Sequence, residues 1–408
     1  ALGHYRLSII DINGGHQPRI DNEGKSYLVF NGEIYGYKKH AKLLQSYKIN
    51  LKDQSDTEVL FQSLMHLGVE KTLEMIDGMY AFVFYEGKND TLWLVRDPMG
   101  EKPLYYSSLA NNIYFSSEAS GIAASDIHKP KNINKDALLQ YLHLDYIPGN
   151  KSLLEGVQKV LPGQFIKISK NEIKKINYCS FNQNEAKSTT LKEATESIDF
   201  LLEKSIKERL IADVPVGIFL SGGIDSSLIA YYAKKFHSNI ASFTIKMKND
   251  TYDESNYAKL VSEKLGIQNN IAEFNNNEIT KSLEIIEKKM DEPLGDPSIL
   301  PTFLLSKFAK QSVKVALSGD GADELFCGYS PFQSANYLKI LSLIPQNFGH
   351  MITSFMERIP SQDHYMSYHF LIKHISRGFG WPSHQQVFRW MSPLSDNNIS
   401  KLLNKEFT

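Results

Sequence analysis

The chain has 408 residues, with 45 basic and 46 acidic side chains and a formal net charge of −1. At roughly 100–200 residues per domain this length predicts two or three domains, and 22 Phe, 21 Tyr and 3 Trp supply enough surface to bury to exclude a disordered chain. The balanced charge argues against a nucleic-acid binder that relies on a basic face, two distant cysteines (Cys179 and Cys327) exclude a disulfide scaffold or a Cys-based zinc site, and no apolar run approaches the roughly 20 residues of a membrane span.

Apolar and aromatic runs bounded by turn residues recur from Tyr5 to about Ile168. Residues 27–30 read as a short strand. Residues 80–85 and 91–95 flank Gly87-Lys88-Asn89-Asp90 and read as a hairpin, as do 103–107 and 113–117 around Ala110-Asn111-Asn112. Between them Val59, Leu60, Leu64 and Leu67 fall at helical spacing and predict a helix over 56–67. Many short strands with few helices predict an α+β sandwich of antiparallel sheets flanked by helices. The polar stretch 182–190 follows a proline-containing region and marks the domain boundary: a first domain over 1–165, a linker over 166–190 and a second domain over 191–408.

The second half changes period. Ile198, Leu201, Leu202, Ile206 and Leu210 form a helical stripe. Val216-Gly217-Ile218-Phe219-Leu220 is a continuous apolar run, as in a strand buried on both faces of a parallel sheet. A helix over 226–236, a strand over 240–246, a helix over 254–265, a strand over 271–274, helices over 277–290 and 301–310, and a strand over 313–317 follow. The alternation predicts a doubly wound α/β domain that binds ligands at the carboxyl ends of its strands. From Pro331 the chain reads as helical. His364, His369 and His374 recur every five residues, which does not hold one helix face, so they read as ordinary surface or core residues.

Two loops carry the chemistry. Ser221-Gly222-Gly223-Ile224-Asp225-Ser226-Ser227 joins the buried strand to its helix. Two glycines permit a sharp turn with N–H groups pointing outward, the helix N-terminus adds partial positive charge, and the hydroxyls of Ser221, Ser226 and Ser227 add donors, so the loop reads as a phosphate cradle. It is not a Walker loop, because it lacks the GxxxxGK[ST] pattern. The second loop, Ser318-Gly319-Asp320-Gly321-Ala322-Asp323-Glu324, follows the strand Val315-Ala316-Leu317 and crowds three carboxylates among glycines. Such crowding is costly unless a cation neutralises it. If both strands lie in one parallel sheet, Asp225 and Asp323 converge on one Mg²⁺, which prefers a few carboxylates plus phosphate oxygens and water.

These loops, with Tyr252-Asp253-Glu254-Ser255, resemble the synthetase domain of glutamine-dependent asparagine synthetases, within the ATP-pyrophosphatase (PP-loop) superfamily. VPVGIFLSGGIDSS (214–227), DEPLGDPSILPT (291–302) and LSGDGADELFCGY (317–329) are each similar to that family's signatures. GHYRLSIID from Gly3, FNGEIY from Phe30, SDTEV from Ser55, RDPMGEKPLYY from Arg96 and SSE from Ser116 resemble the class II glutamine amidotransferase domain of the same enzymes, in the same order.

The resemblance implies glutamine hydrolysis in the first domain and ATP-dependent amidation of a carboxylate, aspartate foremost, in the second. Arg6, Asn31, Gly32, Glu33 and Asp56 match glutamine-binding positions; Arg6 suits the α-carboxylate and Asp56 the α-ammonium. Asn31 and Gly32 match the oxyanion hole. Leu220, Ile245, Ser318 and Gly319 match nucleotide-contacting positions, alongside Ser221, Gly222, Gly223, Asp225 and Ser226 of the cradle, and Asp320 matches an acidic residue implicated in forming the adenylate. ATP and Mg²⁺, a channel for ammonia between the domains, a cytoplasmic location and a homodimer are further implications. Relatives amidate other acids or close β-lactam rings.

The sequence departs from the pattern in places. The family nucleophile is an N-terminal Cys whose own amino group is the base, whereas residue 1 is Ala, Cys179 lies near the linker, and Cys327 stands where the family usually has Gly. The family's C-terminal Lys cannot be placed. Both departures lead us to expect a piece of a longer chain. Two competing readings are a tRNA-modifying PP-loop enzyme, disfavoured by the net charge and the scattered cysteines, and a nucleotide-binding regulatory remnant, disfavoured by Asp225, Asp320 and Asp323.

Overall fold

The computed structural model describes residues 1–109, 112–125, 132–170, 172–180, 189–247, 253–329, 331–332, 338–356, 358–359 and 368–403. The turn expected at Ala110-Asn111, Tyr252, most of the polar stretch 182–190 and His364 lie outside the described residues.

Among the described residues the first domain is built on nine strands: β1 (Arg19–Ile20), β2 (Tyr27–Tyr35), β3 (Asp77–Glu86), β4 (Thr91–Arg96), β5 (Tyr105–Leu109), β6 (Asn112–Ser116), β7 (Gln158–Lys159), β8 (Gln164–Ser169) and β9 (Glu172–Asn177). An antiparallel six-stranded sheet runs β1-β2-β3-β4-β8-β9, and a three-stranded one β6-β5-β7. Strand β3 shows how the layers arise. Tyr80, Phe82 and Phe84 face one way, and Ala81 and Val83 the other, because successive side chains leave opposite faces of a strand. The aromatic set packs under helices α1 (Tyr37–Ser46), α2 (Asp56–Leu67) and α3 (Val69–Met75), through Leu44, Phe61, Leu64 and Leu73. The other set packs with Leu104, Tyr106 and Val160 of the smaller sheet. Helices α4 (Ala119–Ala123) and α5 (Lys135–Leu144) complete the domain.

The hairpins and helix α2 fall where the sequence places them. Three features differ. The run around Tyr5 forms no strand, and Tyr5 is 100% exposed. Strand β2 runs on through Asn31-Gly32-Glu33 to Tyr35, because Gly32 lets β2 lie against the Met79 carbonyl of β3, where a Cβ would collide. The boundary drawn at 165 falls inside β8: β8 and β9 extend the first sheet to Asn177, so residues 166–169 and 172–177 are sheet rather than linker.

The second domain opens with α6 (Leu191–Arg209), held by a Thr190–Glu193 capping box. Strands β10 (Val216–Phe219), β11 (Ala241–Lys246), β12 (Gln268–Glu273) and β13 (Val315–Leu317) alternate with α7 (Ile224–Phe236), α8 (Ser255–Leu265), α9 (Asn276–Lys289) and α10 (Ile299–Ala309), and α11 (Ala322–Phe326) follows β13. All four strands are parallel, in the order β12-β11-β10-β13. Ile218 and Leu220 pack with Ile206, Ala230, Ala233 and Ala258 of α6, α7 and α8 on one face. Phe243 packs with Ala309 and Phe308 near α10 on the other. Helices on both faces make the domain doubly wound, and the strand order reverses between β10 and β13, the place where such sheets bind ligands. Strand β12 begins three residues earlier than predicted; at the sheet edge its polar Gln268-Asn269-Asn270 needs only β11 for pairing.

Beyond α11 come helices Gln346–Met356, Tyr368–Ser376, Ser383–Met391 and Asp396–Leu402; Trp390 is buried, and its indole donates to the Ile375 carbonyl. His374 sits against the Trp390 carbonyl at 2.8 Å, a packing role. Among the described residues no helix is long and apolar enough to cross a membrane.

One buried charge cluster ties β1 to α2. Arg19 pairs with Asp53 and, at 2.7 Å, with Glu58, whose side chain is 0% exposed. Breaking such a buried pair from one side strands the remaining charge, at a cost of about 3–5 kcal/mol. Arg19→Met is therefore expected to lose about that much in denaturant unfolding. A loss under about 1 kcal/mol would show that solvent already screens the pair.

Candidate functional site

The first site is a cavity of about 110 Å³ whose lining includes Arg6, Asn31, Gly32, Glu33 and Asp56. All five glutamine-site positions expected from the sequence therefore face one space. Arg6 is fixed by main-chain carbonyls: its guanidinium donates to Gly14 and Ile10, each at 2.6 Å, and to Asp11 at 3.2 Å. Gly15, at φ +65°, passes so close to that guanidinium that a side chain would displace it. Asp56 is the first residue of α2. It accepts the N–H of Ile34 at 3.0 Å and its neighbour Thr57 at 2.8 Å, while Ser55 caps the helix. Lys102 and Gln17 also line the cavity. Lys102 lies within RDPMGEKPLYY, so its position was readable in the sequence. Gln17 was not: it exchanges hydrogen bonds with the Phe30 backbone, a tertiary contact with no local signal.

Electrostatics mark the pair Glu33 and Asp56. Burial pushes Glu33 well above the ordinary carboxylate range, and the charge of Asp56 pushes it further; Arg6 and Lys102 pull the other way. Burial raises Asp56 too, against the N–H groups of Ile34 and Thr57 and the charge of Arg6. The pocket thus offers two cations, Arg6 and Lys102, and two carboxylates that resist simultaneous ionisation, a set complementary to a zwitterion.

The second site lies at the β10/β13 reversal. Gly222, at φ +91°, lets the loop after β10 abut the start of α8, where a Cβ would strike the Tyr257–Ala258 backbone. Gly223, not Asp225, is the N-cap of α7, which leaves Asp225 in the first turn without a capping duty. The outward-pointing N–H groups expected of this loop are not what the structure holds. Ser221 and Gly222 donate their N–H groups to the Ser226 hydroxyl at 3.3 Å, and Gly223 donates to the Ser221 hydroxyl at 3.2 Å. The hydroxyls of Ser226 and Ser227 are also engaged, donating to the Gly223 carbonyl. Short serine side chains satisfy the turn from within, because they reach their own backbone more readily than solvent does. Helix geometry leaves the first-turn N–H groups of α7 as the donors without an intrahelical acceptor.

Gly319 brings the second loop against this turn: a Cβ there would sit 2.9 Å from the Ser226 nitrogen and 3.0 Å from the Asp225 Cβ. Ser318 donates to Asp320 at 2.8 Å. Leu220 and Ile245 end adjacent strands, Leu220 being buried with its carbonyl bonded by Thr244. Asp323 is exposed at the start of α11, outside the lining of the crevice that Asp225, Ser318, Gly319 and Asp320 share. Among the described residues no cluster of three or more His, Cys, Asp or Glu gathers as a metal cage. A carboxylate on each loop suits a hard cation that draws its other ligands from phosphate and water.

A cavity of about 890 Å³ joins the two sites, from Glu33, Tyr35 and Met79 on the first domain to Asp225, Ser318 and Gly319 on the second.

The raised carboxylates have a measurable consequence. Groups raised on folding stabilise fully below the unfolded carboxylate value, about pH 4, and lose that contribution as pH rises through their folded values. Glu33→Gln is expected to shrink the stability difference between pH 5 and pH 8 by about 1 kcal/mol, one pKa unit after allowance for screening. A pH difference equal to that of the parent chain would show that the pair shares no proton.

Comparison with known proteins agrees with this geometry. A glutamine amidotransferase domain model matches residues 1–179, and an asparagine synthase model matches residues 197–395. Glutamine-hydrolyzing asparagine synthetase 1 of Bacillus subtilis is 36% identical over 355 residues, covering 86% of this chain and 55% of its own length. A putative glutamine-hydrolyzing asparagine synthetase 2 of Methanocaldococcus jannaschii is 33% identical over 366 residues, covering 85% of this chain and 70% of its own length. The amidase chyE of Penicillium rubens is 28% identical over 357 residues, covering 82% and 52%. The chain spans about half the length of most of these curated relatives. It belongs to the family of glutamine-hydrolysing asparagine synthetases.

Proposed function

We propose that the chain carries the two sites of an ATP-dependent amidation, most simply aspartate to asparagine in the cytoplasm, with glutamine as the nitrogen source. The observation that carries this reading is the cavity running from Glu33 of the amino-acid pocket to Asp225, Ser318 and Gly319 of the crevice.

In the first pocket Arg6 takes the glutamine α-carboxylate, and Asp56 with Glu33 takes the α-ammonium. Both terminal nitrogens of Arg6 already donate to main-chain carbonyls, so what it offers the α-carboxylate is its fixed charge and its Nε–H rather than a bidentate fork. Asn31 and Gly32 steady the oxyanion when the side-chain amide is cleaved, a service whose loss typically costs roughly 10²–10³ in rate. In the second site the difficulty is that a carboxylate is too electron-rich for ammonia to attack. An acceptor carboxylate oxygen displaces pyrophosphate from the ATP α-phosphorus and forms an acyl-adenylate. Ammonia then attacks the acyl carbon and AMP leaves. The first turn of α7 and the Ser221–Ser227 loop receive the phosphates, with Leu220, Ile245, Ser318 and Gly319 around the nucleotide and Asp320 beside the forming adenylate. Of the two carboxylates expected to hold Mg²⁺, Asp225 lines the crevice and would hold the ion, which neutralises triphosphate charge when bound, whereas Asp323 lies outside that lining. The cavity offers ammonia a route between the sites, and the less water that route holds the less ammonia is protonated on it. A different acceptor acid is the second reading, favoured by a relative that carries the name amidase rather than synthetase.

Pyrophosphate release from ATP in the presence of aspartate and ammonium, assayed on the full-length gene product, tests the synthetase reading; no release with any carboxylate acceptor would defeat it. Two binding measurements reach the sites separately. Glutamine's ammonium displaces the proton that Glu33 and Asp56 share, so calorimetric titration should show proton release and weaker binding as pH falls from 8 to 5. A dissociation constant independent of pH would remove this pair from the site. Gly319→Val pushes the two crevice loops apart at a cost of about 1–3 kcal/mol. It should weaken Mg-ATP binding roughly tenfold or more, by the same energy, and leave glutamine binding unchanged.

A further inference from the structure

Residues 291–296 join α9 to α10 within the second domain, yet their polar groups are engaged by the first. Asp291 accepts the N–H groups of Ala119 and Ser120 at the start of α4, the latter at 2.8 Å. Glu292 pairs with Lys159 at 2.5 Å, with the two side chains only 12% and 14% exposed. It also accepts the Tyr105 hydroxyl at 3.2 Å and the Leu153 N–H at 3.1 Å. The Gly295 N–H donates to the Asp145 carbonyl at 2.7 Å.

Each end of this clasp leads to a site. On the first domain Val160, next to Lys159, gives its carbonyl to the Arg96 guanidinium at 2.8 Å, and the same guanidinium bonds the Lys102 carbonyl at 2.8 Å. Lys102 lines the amino-acid pocket. On the second domain the segment runs into α10, with the Asp296 carboxylate accepting the Ser298 N–H at 2.8 Å, and Phe308 of α10 packs edge-on against Phe243 of β11, the strand that carries Ile245. Domains need no buried ion pair to stay docked, since apolar contact of similar volume does so at equal or lower cost. A directional cluster in a segment that ties the first domain's smaller sheet to α10 is suited to fixing a relative placement.

We propose that the Asp291–Glu292 clasp is a positioning element that couples the two sites, so that filling either pocket favours the same placement of residues 291–296. The inference rests on the two-site reading above. Coupling of this kind is reciprocal: each ligand must change the other's affinity by one common factor.

The test is calorimetric titration of Mg-ATP into the chain with and without saturating L-glutamine, and of L-glutamine with and without Mg-ATP. The parent chain should show the same factor both ways, about 5-fold or more. Glu292→Gln should bring that factor to about 1 while each ligand alone binds within about twofold of the parent. Because Glu292→Gln leaves Lys159 unpaired, the double variant Lys159→Met/Glu292→Gln serves as the stability control. It should recover the melting temperature and leave the factor near 1. A factor restored together with the melting temperature, or a parent factor of 1, overturns the proposal. Failure of the parent chain to bind either ligand overturns the two-site reading itself, and the coupling with it.

Discussion

The second site depends on how closely two backbones approach at the reversal of one parallel sheet. Strands β10 and β13 are neighbours in register, with Ile218 opposite Leu317, so the loops that leave them must share one crevice. Gly319 has no room for a side chain against Ser226 and Asp225, and Gly222 has none against α8. The glycines thus do different work from the flexibility usually assigned to a glycine-rich loop. They are points of contact, and the serines between them close the loop on its own backbone. A loop tied in this way meets a ligand already shaped, and its ordering entropy is lost on folding rather than on binding.

The first pocket rests on the opposite device, an electrostatic cost left standing. Asp56 lies at a helix N-terminus and accepts two N–H groups, arrangements that ordinarily favour the ionised form. Burial outweighs them, and Glu33 beside it compounds the cost. Arg6 is too occupied with carbonyls to serve as a close partner for either carboxylate. A pocket whose charges fail to neutralise one another keeps its interaction energy for a ligand that brings the missing ammonium, which is why the site and the stability of the unliganded chain pull in different directions.

Much of this was legible from local signals. The apolar run before Ser221, the period of α2 and the turn residues of the hairpins each determine structure through nearest neighbours, and they fell where expected. What stayed hidden was tertiary. Strand β9 is exposed along its whole length and rich in lysine, as edge strands are, so nothing in Glu172–Asn177 alternates and the sheet was closed too early at 165. The outward N–H groups were inferred from glycines without asking which acceptor was nearer, and a serine hydroxyl two to five residues away won. The run around Tyr5 has strand composition but no strand partner, and composition cannot supply one.

The segment 291–296 shows why a motif can be recognised before it is understood. DEPLGDP reads as a string of carboxylates and turn formers in the domain that binds the nucleotide, and the natural guess is that its acids face that ligand. Instead Asp291 and Glu292 turn to the first domain, where their partners are a helix start and a lysine of a two-residue strand. The physical reason lies in the cavity. A space of about 890 Å³ bounded by two separately folded bodies keeps its shape only if those bodies are held in register. Apolar contacts resist separation but slide, whereas charge-assisted bonds with fixed donors resist rotation as well. Directional anchors between the two domains are therefore suited to holding a path between two pockets, and acidic residues placed for that purpose look, in sequence, the same as acidic residues placed for catalysis.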